Sequence, residues 1–397
     1  MNILFVLKTL SIGGVEVVTA NLTAKFVTEG FKVHIFSFEE GDGTLRGRLS
    51  QDVKLNVGTG FYNNESNVGL VRKLLIDNEI KIIVNQWGLP LVPIKVVKKA
   101  KKDLDIKVIS VFHNDPLQNG RIQGVNTEIE KTTNLFKKTF LSVKSCVYRC
   151  VTGYAMRYNY QHSDVFEVLS PSFISHFQKF TWLKKTPKLV VQTNPITVNI
   201  DGFEYCPVLK RKEIIYVGRV DYTQKRVYRV IETWSQLEHE FPEWELTIVG
   251  DGEEREHVER MVTDLELHHV NIEGFQLPRK YYERASILML TSEFEGFPLV
   301  LAECMSFGVV PVVYGSYSAV YDIIEDGKDG IIIPKRSDCF NAVSMAESIK
   351  NLIEDEKRLN KMALAAIDKS RRYSVDKIYK QWMELFRKLK QLDNHKE

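Results

Sequence analysis

The feature that most limits what this chain can become is a series of short, mainly apolar runs. Each is followed by a stretch of helical periodicity, and the whole series runs through once and then starts again. Ile3–Leu7 opens it, and helical spacing follows from Val15 to Val27 after Gly13-Gly14. Further runs stand at Lys32–Phe38, Lys81–Val84, Lys107–Phe112, Val165–Leu169 and Leu189–Val191. The series restarts with Glu213–Val217, a helix expected over Gln224–Glu238, and the runs Leu246–Val249, Ile287–Leu290, Val309–Val313 and Gly330–Ile333. A strand wetted on one side alternates apolar and polar residues, and a strand covered on both sides does not. Such runs alternating with helices therefore predict an α/β chain with doubly wound parallel sheets and right-handed crossovers. The stretch from Asn194-Pro195 to Lys212, with Gly202 and Pro207, is the expected linker. A last helix is expected over Ser374–Leu392, capped by Ser374, with Ile378, Trp382, Leu385, Phe386 and Leu389 on one face.

The 397 residues, 44% of them apolar and 26% charged, are enough for two cores and too apolar for a disordered chain. The longest apolar region, Leu299–Tyr314, is broken by Glu303, Gly308 and Pro311, short of the ~18–20 residues that cross a bilayer. Met1–Leu7 lacks the basic lead of a signal peptide. Five scattered cysteines, Cys146, Cys150, Cys206, Cys304 and Cys339, suit a reducing compartment, so a cytoplasmic location is expected. Cys146 and Cys150 lie one turn apart and read as a buried helix face, since no second pair has the spacing of a metal site.

Charge is divided unevenly. Residues 1–200 carry 26 Lys and Arg against 16 Asp and Glu, while residues 201–397 carry 28 against 35. The densest cluster is Lys95, Lys98, Lys99, Lys101, Lys102 and Lys107. It reads either as a solvated helix face or as a contact for anionic lipid on the inner face of the cell membrane. Nucleic acid is not expected, because no aromatic residues interleave the basic ones.

Two loops carry the chemistry. The string Glu295-Gly296-Phe297-Pro298-Leu299-Val300-Leu301-Ala302-Glu303 leads from the run Ile287–Leu290 into a helix, with Pro298 expected in the first turn. The N–H groups of Leu299 and Val300 would then point from a positive helix end, which suits a phosphate. Glu303, further along, would reach a ribose diol, and Glu295 could accept hydrogen bonds from sugar hydroxyls. The second loop is Gly218-Arg219-Val220-Asp221-Tyr222-Thr223-Gln224-Lys225. Gly218 permits a sharp exit from the strand, and Arg219 and Lys225, both expected to face solvent, could hold a leaving diphosphate. Three patterns are set aside. Gly41-Asp42-Gly43 with Gly47 follows the second strand with the wrong spacing for a dinucleotide fingerprint, Gly250-Asp251-Gly252 is a strand-to-helix turn, and Asp103-Leu104-Asp105 sits in a lysine-rich turn.

These residues resemble the retaining glycosyltransferases of family four over essentially the whole chain. The resemblance implies the GT-B fold: two Rossmann-like domains facing across a cleft, with residues 1–205 on the acceptor side. Residues 206–373 would bind the nucleotide sugar, and 374–397 would form a helix crossing back to the first domain. It implies that Arg219 and Lys225 bind the diphosphate, Glu303 the ribose and Glu295 the transferred sugar, with Gly218, Gly296, Phe297, Leu299 and Val300 shaping the donor pocket. Gly13-Gly14-Val15-Glu16 matches the family's N-terminal glycine loop, which places Gly14 at the donor phosphate. His113 matches a histidine that reaches the sugar near the reacting carbon. Gly274-Phe275-Gln276 matches a loop that reads the base, with Phe275 lining it. The catalytic set so implied is His113, Arg219, Lys225 and Glu295.

The implied reaction moves a hexosyl unit from a nucleoside diphosphate, by family precedent uridine diphosphate, to an acceptor hydroxyl with retention of configuration. No metal and no cofactor are implied. Since no carboxylate stands out as a nucleophile, a front-face displacement is expected. The long segments between Phe38 and Leu70 and between His113 and Glu128 suggest an elaborate acceptor side. A lipid-linked saccharide of capsule, exopolysaccharide or lipopolysaccharide assembly fits that expectation. The alternatives are a nucleotide-sugar epimerase of the same fold and an inactive partner subunit.

Overall fold

A computed structural model describes residues 1–118, 120–336 and 340–394 and divides into two compact units: Met1–Thr197 with the segment from Tyr373, and Val198–Arg372. Unit 1 runs β1 (Asn2–Leu7), α1 (Gly14–Thr28), β2 (Lys32–Ser37), β3 (Lys54–Val57), α2 (Glu65–Asp77), β4 (Ile82–Asn85) and α3 (Leu91–Ala100). It continues with β5 (Lys107–Phe112), α4 (Gly120–Lys131), α5 (Leu135–Gln161), β6 (Val165–Val168), α6 (Phe173–Thr181) and β7 (Leu189–Val191). Unit 2 runs β8 (Glu213–Val217), α7 (Tyr228–Trp234), β9 (Glu245–Val249), α8 (Arg255–Asp264), β10 (Val270–Gly274) and α9 (Arg279–Arg284). Then come β11 (Ile287–Leu290), α10 (Leu299–Ser306), β12 (Val310–Gly315), α11 (Ala319–Ile323), β13 (Ile331–Pro334), α12 (Ala342–Ile353) and α13 (Glu356–Ser370). The chain returns to unit 1 with α14 (Val375–Asn394).

The strand order is β3-β2-β1-β4-β5-β6-β7 in unit 1 and β10-β9-β8-β11-β12-β13 in unit 2, with every pair parallel. Each order reverses once, between β1 and β4 and between β8 and β11. Beyond the strand ends at such a reversal, neighbouring loops diverge to opposite faces and leave room for a ligand.

Alternate residues of a strand point to opposite faces. In unit 1, Leu4 and Val6 join Phe36, Val71 and Val97 in one core. On α1, Phe26 is ringed by Phe5, Tyr379, Trp382 and Phe386, with centroids 5.5–6.2 Å away. Thus α14 packs on unit 1, and the Ser374 hydroxyl accepts the Lys377 N–H at 3.4 Å at its start.

Several expectations need correction. Residues 39–64 are not one loop, because β3 lies within them, and α4 fills most of 114–128. The strands β3 and β10 were missed because both are sheet edges. Half-buried edge strands need no unbroken apolar run, and KLNV and VNIEG have none. The helix expected over Gln224–Glu238 shrinks to α7, because the Asp221 carboxylate accepts the N–H groups of Gln224 (2.6 Å) and Lys225 (3.1 Å), and Arg226 takes φ 53°. Pro298 is the N-cap, one residue before the helix. Cys146 and Cys150 are exposed on α5, not buried, and Cys339 lies outside the described residues.

Candidate active site

The loops leaving β8 and β11 meet beyond the strand reversal of unit 2. Gly218 leaves β8 with φ 150°, and a Cβ on Gly250, after β9, would lie 1.7 Å from the Gly218 carbonyl oxygen. Only glycine lets these two loops touch backbone to backbone, and that contact fixes where Arg219 emerges. The Arg219 side chain is 63% exposed, and it donates from Nε to Asp221 at 2.8 Å and from Nη2 to Gln224 at 3.0 Å. Lys225 is different. Contrary to the expectation that it faces solvent, it is half-buried, and its ammonium donates to the buried Glu295 at 2.5 Å, with side-chain exposures of 14% and 8%. Gln224 ties the two loops together by donating to Glu295 at 3.2 Å and to the Phe294 carbonyl at 3.2 Å.

The second loop carries its apolar residues inward, with Phe294 and Phe297 buried. Leu301 is the first residue of α10 to donate backward, to the Pro298 carbonyl at 2.9 Å. The N–H groups of Leu299 and Val300 precede it at the positive end of the helix, on half-buried residues. Glu303 is buried in the second turn and accepts the Tyr282 hydroxyl at 3.3 Å. The structure therefore gathers Arg219, Lys225 and Glu295 into one network. Glu303 stands apart on α10, and Phe275, 66% exposed, follows β10 at the sheet edge.

Sequence reasoning left the role of Asp221 beside Arg219 open and passed over Gln224 and Tyr317. Asp221 braces Arg219 and folds the loop, Gln224 bridges cation and carboxylate, and Tyr317, after β12, has a buried hydroxyl with no hydrogen-bond partner among the described residues. Burial and the charge of Glu295 push the Tyr317 hydroxyl up, so it keeps its proton. The spacing Asp221-x-x-Gln224 was a readable turn signal, whereas nothing in the sequence marks Tyr317.

In unit 1, Gly13 and Gly14 follow β1 at that sheet's own reversal, and Glu16 folds back toward Gly13. His113 follows β5. Its Nε2 donates to the Gln86 Oε1 at 2.6 Å, which leaves Nδ1 as the acceptor, enclosed and with no partner among the described residues. Burial pushes this histidine down to about 3, so the ring is neutral at physiological pH. It lines a water-sized cavity of about 10 Å³ with Gln86, Glu167, Gln192 and Trp382. Such a ring accepts a hydrogen bond and is too weak a base for proton transfer. Asp115 is buried and accepts His176 Nδ1 at 2.9 Å, a structural pairing.

Residues 204–369 match the family model described as glycosyl transferases group 1, and residues 12–165 match that of glycosyltransferase family 4. The chain belongs to the family 4, group 1 glycosyltransferases. It is 23% identical to a Campylobacter jejuni enzyme over 398 residues, covering 98% of this chain and 99% of that one. That enzyme is named as an alpha-1,4-N-acetyl-D-galactosaminyltransferase acting on a saccharide-PP-undecaprenol. An exopolysaccharide phosphotransferase of Streptomyces coelicolor is 33% identical over 209 residues, 52% of this glycosyltransferase but only 21% of the relative's length. Among solved structures, Anabaena HepE in complex with UDP aligns with a TM-score of 0.75 at 17% identity, over 98% of this chain and all of that one. The fold of this glycosyltransferase is thus shared with enzymes of the GT-B class, two Rossmann-like units in one chain.

Proposed function

We propose that this glycosyltransferase moves a hexosyl unit from a UDP-linked sugar to a lipid-linked saccharide in cell-surface polysaccharide assembly, with retention of configuration and without a metal. The observation that carries the reading is the Lys225–Glu295 pair at the reversal of the second sheet, with Arg219 exposed beside it. A half-buried lysine, an exposed guanidinium and the amides of Leu299 and Val300 are the groups that stabilise negative charge gathering on a departing diphosphate. Glu295 orients Lys225 and accepts hydrogen bonds from sugar hydroxyls, and the unpartnered Tyr317 hydroxyl beside it donates one. Glu303 takes the ribose diol, exchanging the Tyr282 hydroxyl for those of the nucleoside. Gly218, Gly296 and Phe297 shape the pocket, and Phe275 flanks the base.

In unit 1, the family resemblance gives Gly14 the donor phosphate and His113 the transferred sugar, and His113 Nδ1 meets a sugar hydroxyl only once the small cavity that encloses it opens. A histidine held neutral supplies polarity without taking a proton, so the acceptor proton passes to the leaving phosphate in a front-face displacement. The lipid-linked acceptor is supported by the named substrate of the Campylobacter relative.

The test is nucleotide release from a panel of nucleotide sugars, with and without a polyprenyl-diphosphate saccharide, in excess chelator. Release that requires both donor and acceptor and persists with chelator is the expected result. Release of nucleotide without acceptor would favour an epimerase, no binding of any donor would favour an inactive subunit, and rescue by magnesium would refute the metal-free reading.

A further inference from the structure

The longest helix of the molecule leaves an apolar stripe in the open. Asn134 caps α5 by accepting the Lys137 N–H at 3.1 Å, and the helix runs 27 residues from Leu135 to Gln161. Its buried face, with Leu141 and Ser145 toward the N-terminal end, packs on α4, α3 and α6. On another face Phe136, Phe140, Val143, Val147, Val151 and Tyr154 are between 52% and 90% exposed. At 3.6 residues per turn these six fall within an arc of about 80°, a continuous stripe roughly 27 Å long. Scattered exposed apolar residues need no explanation, but a contiguous stripe of this kind marks a contact surface.

The charges around the stripe say what covers it. No Asp or Glu occurs from residue 131 to 163, while Lys137, Lys138, Lys144, Arg149 and Arg157 all lie on α5. Among the described residues none of these five is in an ion pair. Trp182, 61% exposed, lies against Gly153, one residue before Tyr154. A basic helix with an aromatic and aliphatic face, and with a ring at its edge, lies in the plane of a bilayer with the apolar side in the acyl boundary. No described helix is long and apolar enough to cross a membrane.

The cluster at Lys95–Lys107 is a poorer candidate. Lys99 pairs with Glu65 at 3.0 Å, Lys101 donates to the Ile106 carbonyl and lies 3.7 Å from Asp164, and Lys107 faces Asp105 at 3.5 Å. Lys98 is held by His162 at 2.8 Å. Much of its charge is spent locally.

We propose that α5 docks this protein on an anionic lipid surface, with Phe136, Phe140, Val143, Val147, Val151 and Tyr154 inserted and Lys137, Lys144 and Arg157, which flank the stripe, at the head groups. Vesicle binding needs no sugar donor, so its failure is separable from failure of the transferase reading. The test is co-sedimentation with vesicles of phosphatidylcholine containing about 30% phosphatidylglycerol, against pure phosphatidylcholine. The full chain should bind the anionic vesicles, and more weakly as salt rises. Phe136→Ser, Phe140→Ser and Val147→Ser combined should lower binding by about tenfold or more, as should Lys137→Glu, Lys144→Glu and Arg157→Glu combined. Glu at Lys98, Lys99, Lys101 and Lys102 should change it by less than about threefold. On the unaltered chain, anionic vesicles should slow maleimide modification of Cys146 and Cys150, which flank the stripe, read by peptide mass spectrometry. The proposal is overturned if the native chain ignores anionic vesicles, if those cysteines gain no protection, or if only the Lys98–Lys102 change releases the protein. It is also overturned if the stripe proves to join two copies, with the serine changes splitting a dimer and leaving vesicle binding intact.

Discussion

Lys225 and Arg219 carry the same charge six residues apart, yet the fold gives them opposite surroundings. Both are proposed to steady a leaving diphosphate, so replacing either by Ala should lower turnover by about 10²-fold. Their effects on stability should diverge. Lys225→Ala strands Glu295 as a buried charge, with Gln224 as its remaining partner, a change worth about 3–5 kcal/mol. Arg219→Ala removes an exposed pair worth about 1 kcal/mol or less. Urea unfolding of the two variants checks this, and equal losses would mean that Glu295 is not buried against Lys225 in solution. His113 gives a second test at this scale. The unfolded chain protonates this residue below about 6.5 and the folded chain only below about 3, so folding loses stability as pH falls through that window and has all of it above. Between about pH 7.5 and about pH 5 the native chain should lose roughly 2 kcal/mol more than a His113→Gln variant. Parallel losses in the two proteins would show that the ring is not enclosed.

At the scale of elements, what could be read from the sequence was whatever is covered on both sides. Ile3–Leu7, Ile287–Leu290 and Val309–Val313 announce strands because each residue in them must avoid water, whichever face it points to. The edge strands β3 and β10 carry no such demand, and their mixed residues look like loop. The helix α10 was legible from its Pro and its apolar run, but its start shifted by one residue, since Pro298 keeps the extended ψ of a cap. In the candidate site, the charged residues could be named from the two loops alone. Their pairing could not, because residues 225 and 295 meet only once two strands far apart in sequence lie side by side. Tyr317 was invisible for the same reason: a single tyrosine after a strand carries no pattern of its own. The helix α5 was hidden by another route. Its stripe has helical spacing, and helical spacing ordinarily means core, so only the exposure of Phe136 and Phe140 separates a contact surface from packing.

At the scale of the whole molecule, unit 1 is assembled from two stretches of chain some 175 residues apart, and its last piece completes a core rather than decorating it. Ile378, Trp382, Leu385, Phe386 and Leu389 on α14 are all buried, and Phe26 of α1 has three rings of this helix around it. Lys25 also pairs with Asp376 at 2.8 Å, and Ile196 donates to the Tyr373 carbonyl at 2.8 Å. Fully burying each such side chain contributes about 1.5–3 kcal/mol, so the five together reach the order of 10 kcal/mol, comparable to the whole stability of an ordinary domain. A chain ended at Arg372 should therefore fail to hold unit 1 together while leaving unit 2, whose sheet and helices lie within Val198–Arg372, able to fold. Limited trypsin digestion should degrade residues 1–197 of that shortened chain and spare a fragment spanning unit 2. Trp382→Ala in the full chain should be milder, costing about 3–5 kcal/mol, and should lower the melting point of unit 1 alone. If the shortened chain resists protease across both units, α14 rests on unit 1 without supporting it, and the aromatic cluster around Phe26 holds without its C-terminal half.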